Sequence, residues 1–254
     1  MNTIIYFSPT GNAAHLAKKL QNHLGEEETK FHPLEFTDAN KLEKDKHLIL
    51  IYSIHGFNAP RTVKRFVKSL PEGLFEDVSL ISVGCATTWV NDAVSSDLKK
   101  VLDKKNYPII VDQVLAMPLT FIMEFPEDVA KKSISESEAA IGKVSESIVN
   151  GEKSVNEVAF KSKLINFVGK AEDGAARFFG LELHANKNCN SCGTCVKNCP
   201  EKNIKFNKKM KPKFGLKCLM CMRCVYNCPQ KAIGPRLARF IPIKNGYSIT
   251  KYLD

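Results

Sequence analysis

The chain is 254 residues long, 44% apolar and 25% charged, a globular composition that excludes intrinsic disorder and collagen-like repeats. No apolar run approaches the ~18 residues that a membrane span requires. Residues 1–10 lack the charged start, apolar core and cleavage site of a secretory signal, so a cytoplasmic location is expected. The formal net charge of +10 is unevenly placed: residues 1–150 carry 17 Lys and Arg against 20 Asp and Glu, whereas 151–254 carry 20 against 7. Eight of the nine cysteines lie between Cys189 and Cys228. In a reducing compartment such crowding points to metal rather than to disulfides.

In chain order, residues 3–7 (TIIYF) read as a buried strand, followed by a turn and a helix over 12–24. Residues 31–36 suggest a short second strand and 47–53 (HLILIYS) a third. Pro60 suits the first turn of a helix whose Val63, Phe66, Val67 and Leu70 share one face. Residues 78–84 form a fourth strand, Asn91 or Asp92 is the candidate N-cap of a helix reaching Lys104, 108–114 form a fifth strand, and 127–149 a last helix. Strands alternating with helices need crossover connections, which implies a parallel sheet covered on both faces. The expected fold of residues 1–150 is an α/β doubly wound five-stranded parallel sheet of flavodoxin-like order, with any ligand outside the carboxyl ends of its strands. Residues 151–183 read as a helical connector, with Val155, Val158, Leu164, Ile165, Val168, Phe178 and Phe179 set among lysines.

The cysteine region repeats itself. Residues 192–204 (CGTCVKNCPEKNI) align with 221–233 (CMRCVYNCPQKAI) at eight of thirteen positions, and each copy follows a further cysteine, Cys189 or Cys218. Both copies spell C-x-x-C-x-x-C-x-x-x-C-P. Three cysteines at this interval can wrap a loop round one face of a cubane, while the fourth lies beyond a bend fixed by Pro200 or Pro229. Structural zinc uses cysteine pairs across a longer spacer and has no need of a third cysteine plus Cys-Pro in each half.

Residues 184–235 resemble a bacterial two-cluster ferredoxin domain, a small α+β unit with a hairpin between its motifs, here expected over 204–214. The resemblance implies one-electron transfer by two [4Fe–4S] clusters. One would be held by Cys189, Cys192, Cys195 and Cys228, the other by Cys218, Cys221, Cys224 and Cys199. Free ferredoxins are usually acidic, whereas this domain is basic, a departure that argues against a free carrier. Residues 236–254 read as a basic tail.

The first strand runs into Ser8-Pro9-Thr10-Gly11-Asn12. A hydroxyl-rich glycine turn opening a helix is an anion site, because backbone N–H groups and the helix dipole converge there. The turn resembles the T/S-x-T-G-N phosphate loop of flavodoxins, with Pro9 and Ala13 as departures, and the resemblance implies bound FMN. The ring would then lie between loops 53–59 and 84–89. His55, Phe57, Asn58, Thr87 and Trp89 are the candidate contacts, and Trp89 and Phe57 are able to stack on it. Cys85 reads as a buried strand-end residue.

The combined layout resembles flavodoxin–ferredoxin fusion proteins. It implies an electron-transfer protein relaying electrons between two clusters and FMN, or alternatively a flavin reductase acting on a quinone, nitro compound or free flavin. The basic half suits an acidic redox partner such as a ferredoxin or flavodoxin. With no recognition module, specific nucleic-acid binding is not expected.

Overall fold

The computed structural model describes residues 1–156, 158 and 160–253, without the side chains of Phe160, Lys163, Lys170 and Asp173. The ranges 151–183 and 236–254 read from the sequence therefore include Glu157, Ala159 and Asp254, which lie outside the described residues.

The α/β part runs β1 (Asn2–Phe7), α1 (Asn12–Leu24), β2 (Thr29–Pro33), β3 (Asp45–Ser53), α2 (Arg61–Ser69), β4 (Phe75–Gly84), α3 (Ser96–Lys104), β5 (Ile109–Ala116), α4 (Glu127–Asn150) and β6 (Ser154–Val155). All six strands are parallel, in the order β2-β1-β3-β4-β5-β6. The first five reproduce the flavodoxin-like order, whose switch point lies between β1 and β3. The sheet thus has six strands rather than the expected five. The extra one is two residues long, and its place at the edge is set by pairing with Val111 and Asp112 and by Gln113 Nε2 donating to Ser154 Oγ at 2.9 Å.

Alternation along the strands sends Ile4, Ile49 and Ile81 to one face with Leu16, Leu20, Ile134 and Ile141. Ile5, Leu48, Leu50 and Leu80 go to the other face with Val63, Val67, Leu98 and Leu102. Burial on both faces is why the strands read as unbroken apolar runs. Two expected boundaries move: residues 34–36 form a 3-10 turn rather than extending the second strand, and Asn91 and Asp92 precede α3, which starts at Ser96. The C-terminal residues read as a basic tail fold back, and Ile243, Tyr247, Ile249 and Tyr252 complete the core on the α1 and α4 side.

Past the sheet, α5 (Phe160–Glu182) is one continuous helix leading into β7 (Leu183–Ala185), α6 (Thr194–Asn198), β8 (Ile204–Phe206), β9 (Pro212–Phe214), α7 (Arg223–Tyr226) and β10 (Ile233–Pro235). β8 and β9 form the expected hairpin, and β7 pairs antiparallel with β10. The two cysteine runs adopt matching backbones. Left-handed residues stand at Ser191 and Gly193 in the first and at Met220 and Met222 in the second, and Lys202 matches Lys231 after the bend. Met222 holds φ 58° where its counterpart is glycine, and the strain is offset by burying its side chain.

The two parts meet through a polar seam. Arg65 grips Glu201 with two bonds of 2.9 and 3.0 Å, Arg61 donates to the carbonyls of Lys217 and Cys218, and Tyr226 donates to Thr120 O at 2.7 Å. Arg223, within the second cysteine run, pairs with Glu35, donates to Ser8 O at 2.9 Å and lies over the Phe7 ring.

Candidate functional site

A cavity of about 320 Å³ opens at the carboxyl edge of the sheet. Its floor is the turn after β1, where Ser8, Thr10 and Asn12 all line it. Gly11 supplies the N-cap of α1 at φ 107°, with no side-chain cap bond, so the first-turn amides keep their donor capacity. Ser8 Oγ is buried without a partner. An orphaned hydroxyl beside uncapped amides fits an anion such as a phosphate. Asn12 does not offer its side chain: Nδ2 donates to Pro118 O at 2.9 Å, and Oδ1 accepts from Tyr247 OH at 2.5 Å. Ile249 lies against Gly11, its Cγ2 3.0 Å from where a β-carbon would stand.

The turn after β3 brings His55, Phe57 and Asn58 to the cavity. Nδ1 of His55 is 3.2 Å from Leu219 O, so the ring also ties this turn to the second cysteine run. Asn58 is buried and locked to α5, donating to Asn166 O at 2.9 Å and accepting from Asn166 Nδ2 at 2.8 Å. Thr87 and Trp89 do not line the cavity. The 3-10 turn Trp89–Asn91 points Val90 and Asn91 inward and leaves Trp89 47% exposed. Cys85, read from the sequence as buried, is exposed on the cavity wall.

Two further walls are absent from the sequence reading. Gly169, Glu172 and Ala176 form one face of α5 over the cavity, and Leu219, Met220 and Cys221 form the other closing side. Glu172 has its carboxyl pushed up by desolvation. The spacing 169, 172, 176 is that of one helical face and is legible in retrospect; the wall 219–221 is a tertiary juxtaposition with no local signal.

The eight clustered cysteines fall into two groups. Cys199, Cys218, Cys221 and Cys224 surround a space of about 30 Å³, and Cys189, Cys192, Cys195 and Cys228 one of about 20 Å³. Cys221 thus borders both its own group and the large cavity. Backbone amides point at sulfur in both: Asn203 N to Cys199 Sγ, Ala232 N to Cys228 Sγ and Met220 N to Cys218 Sγ, each 3.3 Å. Such bonds favour thiolate and tune iron–sulfur centres. The groups differ in environment. Burial pushes Cys218 up to about 11 and Cys221 up to about 12, whereas Cys192 is exposed and lowered by its contact with Thr194. Among the described residues no three His, Cys, Asp or Glu side chains gather round one metal ion. A cubane has a different requirement, since it takes one thiolate at each of four irons.

Residues 182–229 match the family described as a 4Fe-4S dicluster domain. No curated protein matches the sequence. Similar solved structures include Fusobacterium nucleatum flavodoxin bound to flavin mononucleotide, at 12% identity over 60% of this chain and 98% of that one, with a TM-score of 0.41. Two-electron reduced Megasphaera elsdenii flavodoxin is 17% identical over 55% of this chain and 99% of that one, with a TM-score of 0.39. A flavodoxin from the Archaea is 12% identical over 58% and 99%, with a TM-score of 0.39. The fold assignment rests on the strand order of the sheet rather than on these distant likenesses. The chain therefore joins a flavodoxin-like α/β sheet to a 4Fe-4S dicluster domain, a flavodoxin plus ferredoxin arrangement.

Proposed function

We propose that the chain relays electrons between two [4Fe–4S] clusters and an FMN seated in the cavity at the sheet edge. The observation that carries this reading is the double position of Cys221, which borders both a four-cysteine group and the cavity. Cys189, Cys192, Cys195 and Cys228 hold the outer cluster; Cys218, Cys221, Cys224 and Cys199 hold the inner one. FMN supplies a carrier able to take one or two electrons beside centres that pass them singly. Ser8 Oγ, Thr10 and the first amides of α1 hold its phosphate, while His55 and Phe57 border its ring. Glu172 stands on the cavity wall, where desolvation disfavours its carboxylate and raises its carboxyl above the usual range.

The outer group lies against the β8–β9 hairpin, whose Phe206 and Pro212 share its small cavity. The hairpin exposes Lys205, Lys208, Lys209 and Lys213. An acidic redox protein approaching there meets opposite charge at the solvent side of the chain, which makes the outer cluster the port for electron exchange.

Iron, sulfide and flavin counts on anaerobically purified full chain test the reading. The expected values are about eight irons, eight sulfides and one FMN per chain. A count of about four irons would remove the second cluster, and failure to retain added FMN would remove the flavin. Reduction of a quinone or nitro compound without any protein acceptor would replace the relay with a reductase.

A further inference from the structure

Helix α5 meets the rest of the protein along Ser162, Asn166, Ala176 and Phe179, all buried. Its opposite side carries Leu164, Phe167, Phe178 and Leu181 at helical spacing, with Phe167 70% and Phe178 68% exposed. An apolar stripe of this width ordinarily faces a core. This one continues beyond the helix. Leu237 N donates to Glu182 Oε2 at 2.9 Å, which sets the exposed Leu237 and Phe240 next to the end of α5. Ile122 N in turn donates to Ile241 O at 2.6 Å, adding the exposed Ile122 and Met123. Three segments remote in sequence thus place exposed large apolar side chains along α5 and beside its C-terminal end, a border that also carries exposed Lys161, Arg177, Arg236 and Arg239.

We propose that this border seats the protein on the surface of an anionic lipid bilayer, with α5 and the 237–240 loop lying in the interfacial plane. Charge selects the occupant. A second copy docked through the same border would bring two basic surfaces of like sign together, whereas anionic headgroups attract Arg236 and Arg239. Apolar side chains interleaved with Lys and Arg are the composition that binds at the headgroup boundary. Among the described residues no helix is long and apolar enough to cross a membrane, so the contact is made from one side. Thr120 and Phe121, which precede Ile122, line the large cavity, so the seated border adjoins its wall.

The test is co-sedimentation of the full chain with vesicles of phosphatidylcholine alone or mixed with phosphatidylglycerol. Binding to the mixed vesicles only, weakening as salt rises, is the expected result. Leu237→Glu/Phe240→Glu, on largely exposed side chains, should cut that binding more than about tenfold at unchanged melting temperature. Arg236→Glu/Arg239→Glu should weaken it as well. Absence of binding to mixed vesicles, or binding that the Leu237→Glu/Phe240→Glu variant retains, overturns the proposal. So does a concentration-dependent dimer, or a complex with an acidic ferredoxin, that this variant abolishes without any vesicle binding by the parent chain, since either result assigns the border to a protein contact.

Discussion

Gly169 and Gly56 pass each other so closely that a methyl group on Gly169 would lie 1.9 Å from the Gly56 carbonyl oxygen. Helix α5 therefore crosses the turn after β3 backbone against backbone. Gly180 repeats the device at the other end, where a methyl would stand 2.4 Å from Gly215 O and 2.8 Å from Cys218 Cβ. One helix thus touches both halves, and the position of the cavity wall depends on two side chains being absent. Gly169→Ala should destabilise the protein by about 3 kcal/mol through overpacking. Gly174→Ala, on the same helix with open space around it, should instead gain about 0.5–1 kcal/mol from helix propensity. Urea unfolding of both variants checks the pair, and equal effects would mean that the close approach is not constraining.

Arg223 joins the second cysteine run to the end of β1. Its side chain and that of Glu35 are 10% and 9% exposed, so removing either leaves a buried charge without its partner. Arg223→Met should cost about 3–5 kcal/mol, and Arg223→Met/Glu35→Met should recover much of it, because the apolar pair buries no charge. A double-mutant cycle on unfolding free energies measures the coupling. Additive losses would show that the two side chains act separately.

Glu172 predicts a pH dependence with a definite sign. Its carboxyl is raised above the usual 4.5 by desolvation, so the folded state holds the proton to a higher pH than the unfolded chain does. The associated stability is fully present below about pH 4.5 and is lost as pH rises through the folded value. Glu172→Gln has no proton to lose. Its urea midpoint should therefore gain on that of the parent protein as pH increases, and parallel pH profiles would refute the assignment.

The strands most legible in the sequence are those buried on both faces. Residues 3–7 and 47–53 declare themselves because each is a nearly unbroken apolar run, and the paired cysteine runs declare themselves by chemistry that tolerates no other residue. What escapes is set by distance along the chain. Ser154 and Val155 become a strand only because Val111 and Asp112 present a free edge. Tyr247 and Ile249 carry no sign that they will close over Asn12 and Gly11. Trp89 has the composition of a ring-stacking residue, but a 3-10 turn faces it outward. Arg223 was open to notice, since a long cation inside a cysteine loop is unusual unless something anionic waits for it, yet nothing local names Glu35 as that partner.

The lysines of the β8–β9 hairpin make the salt response of electron entry a test of partner charge. Reduction of the chain by an acidic ferredoxin should slow steadily as ionic strength rises, because screening removes the long-range attraction. Lys208→Glu/Lys209→Glu, on exposed side chains at the hairpin turn, should slow the low-salt rate and flatten the response. Melting temperature should stay unchanged. A parent protein whose rate is insensitive to salt would take the hairpin out of partner recognition.

Cys192 and Cys221 occupy the two ends of the proposed path, one exposed and the other on the cavity wall. Cys192→Ser and Cys221→Ser should each lower the iron count from about eight to about four per chain, but with different consequences. Losing the inner cluster interrupts the step into the cavity while leaving the port intact. In Cys221→Ser the remaining cluster should accept electrons from an acidic ferredoxin at the parent rate, and flavin reduction should lag far behind it. Losing the outer cluster removes the port. In Cys192→Ser the remaining cluster and the flavin should therefore both be reduced slowly by the protein donor, and in step with each other. Anaerobic stopped-flow absorbance at cluster and flavin wavelengths separates the two patterns. If flavin reduction in Cys221→Ser keeps pace with the parent protein, electrons enter the cavity by a route that does not pass the inner group.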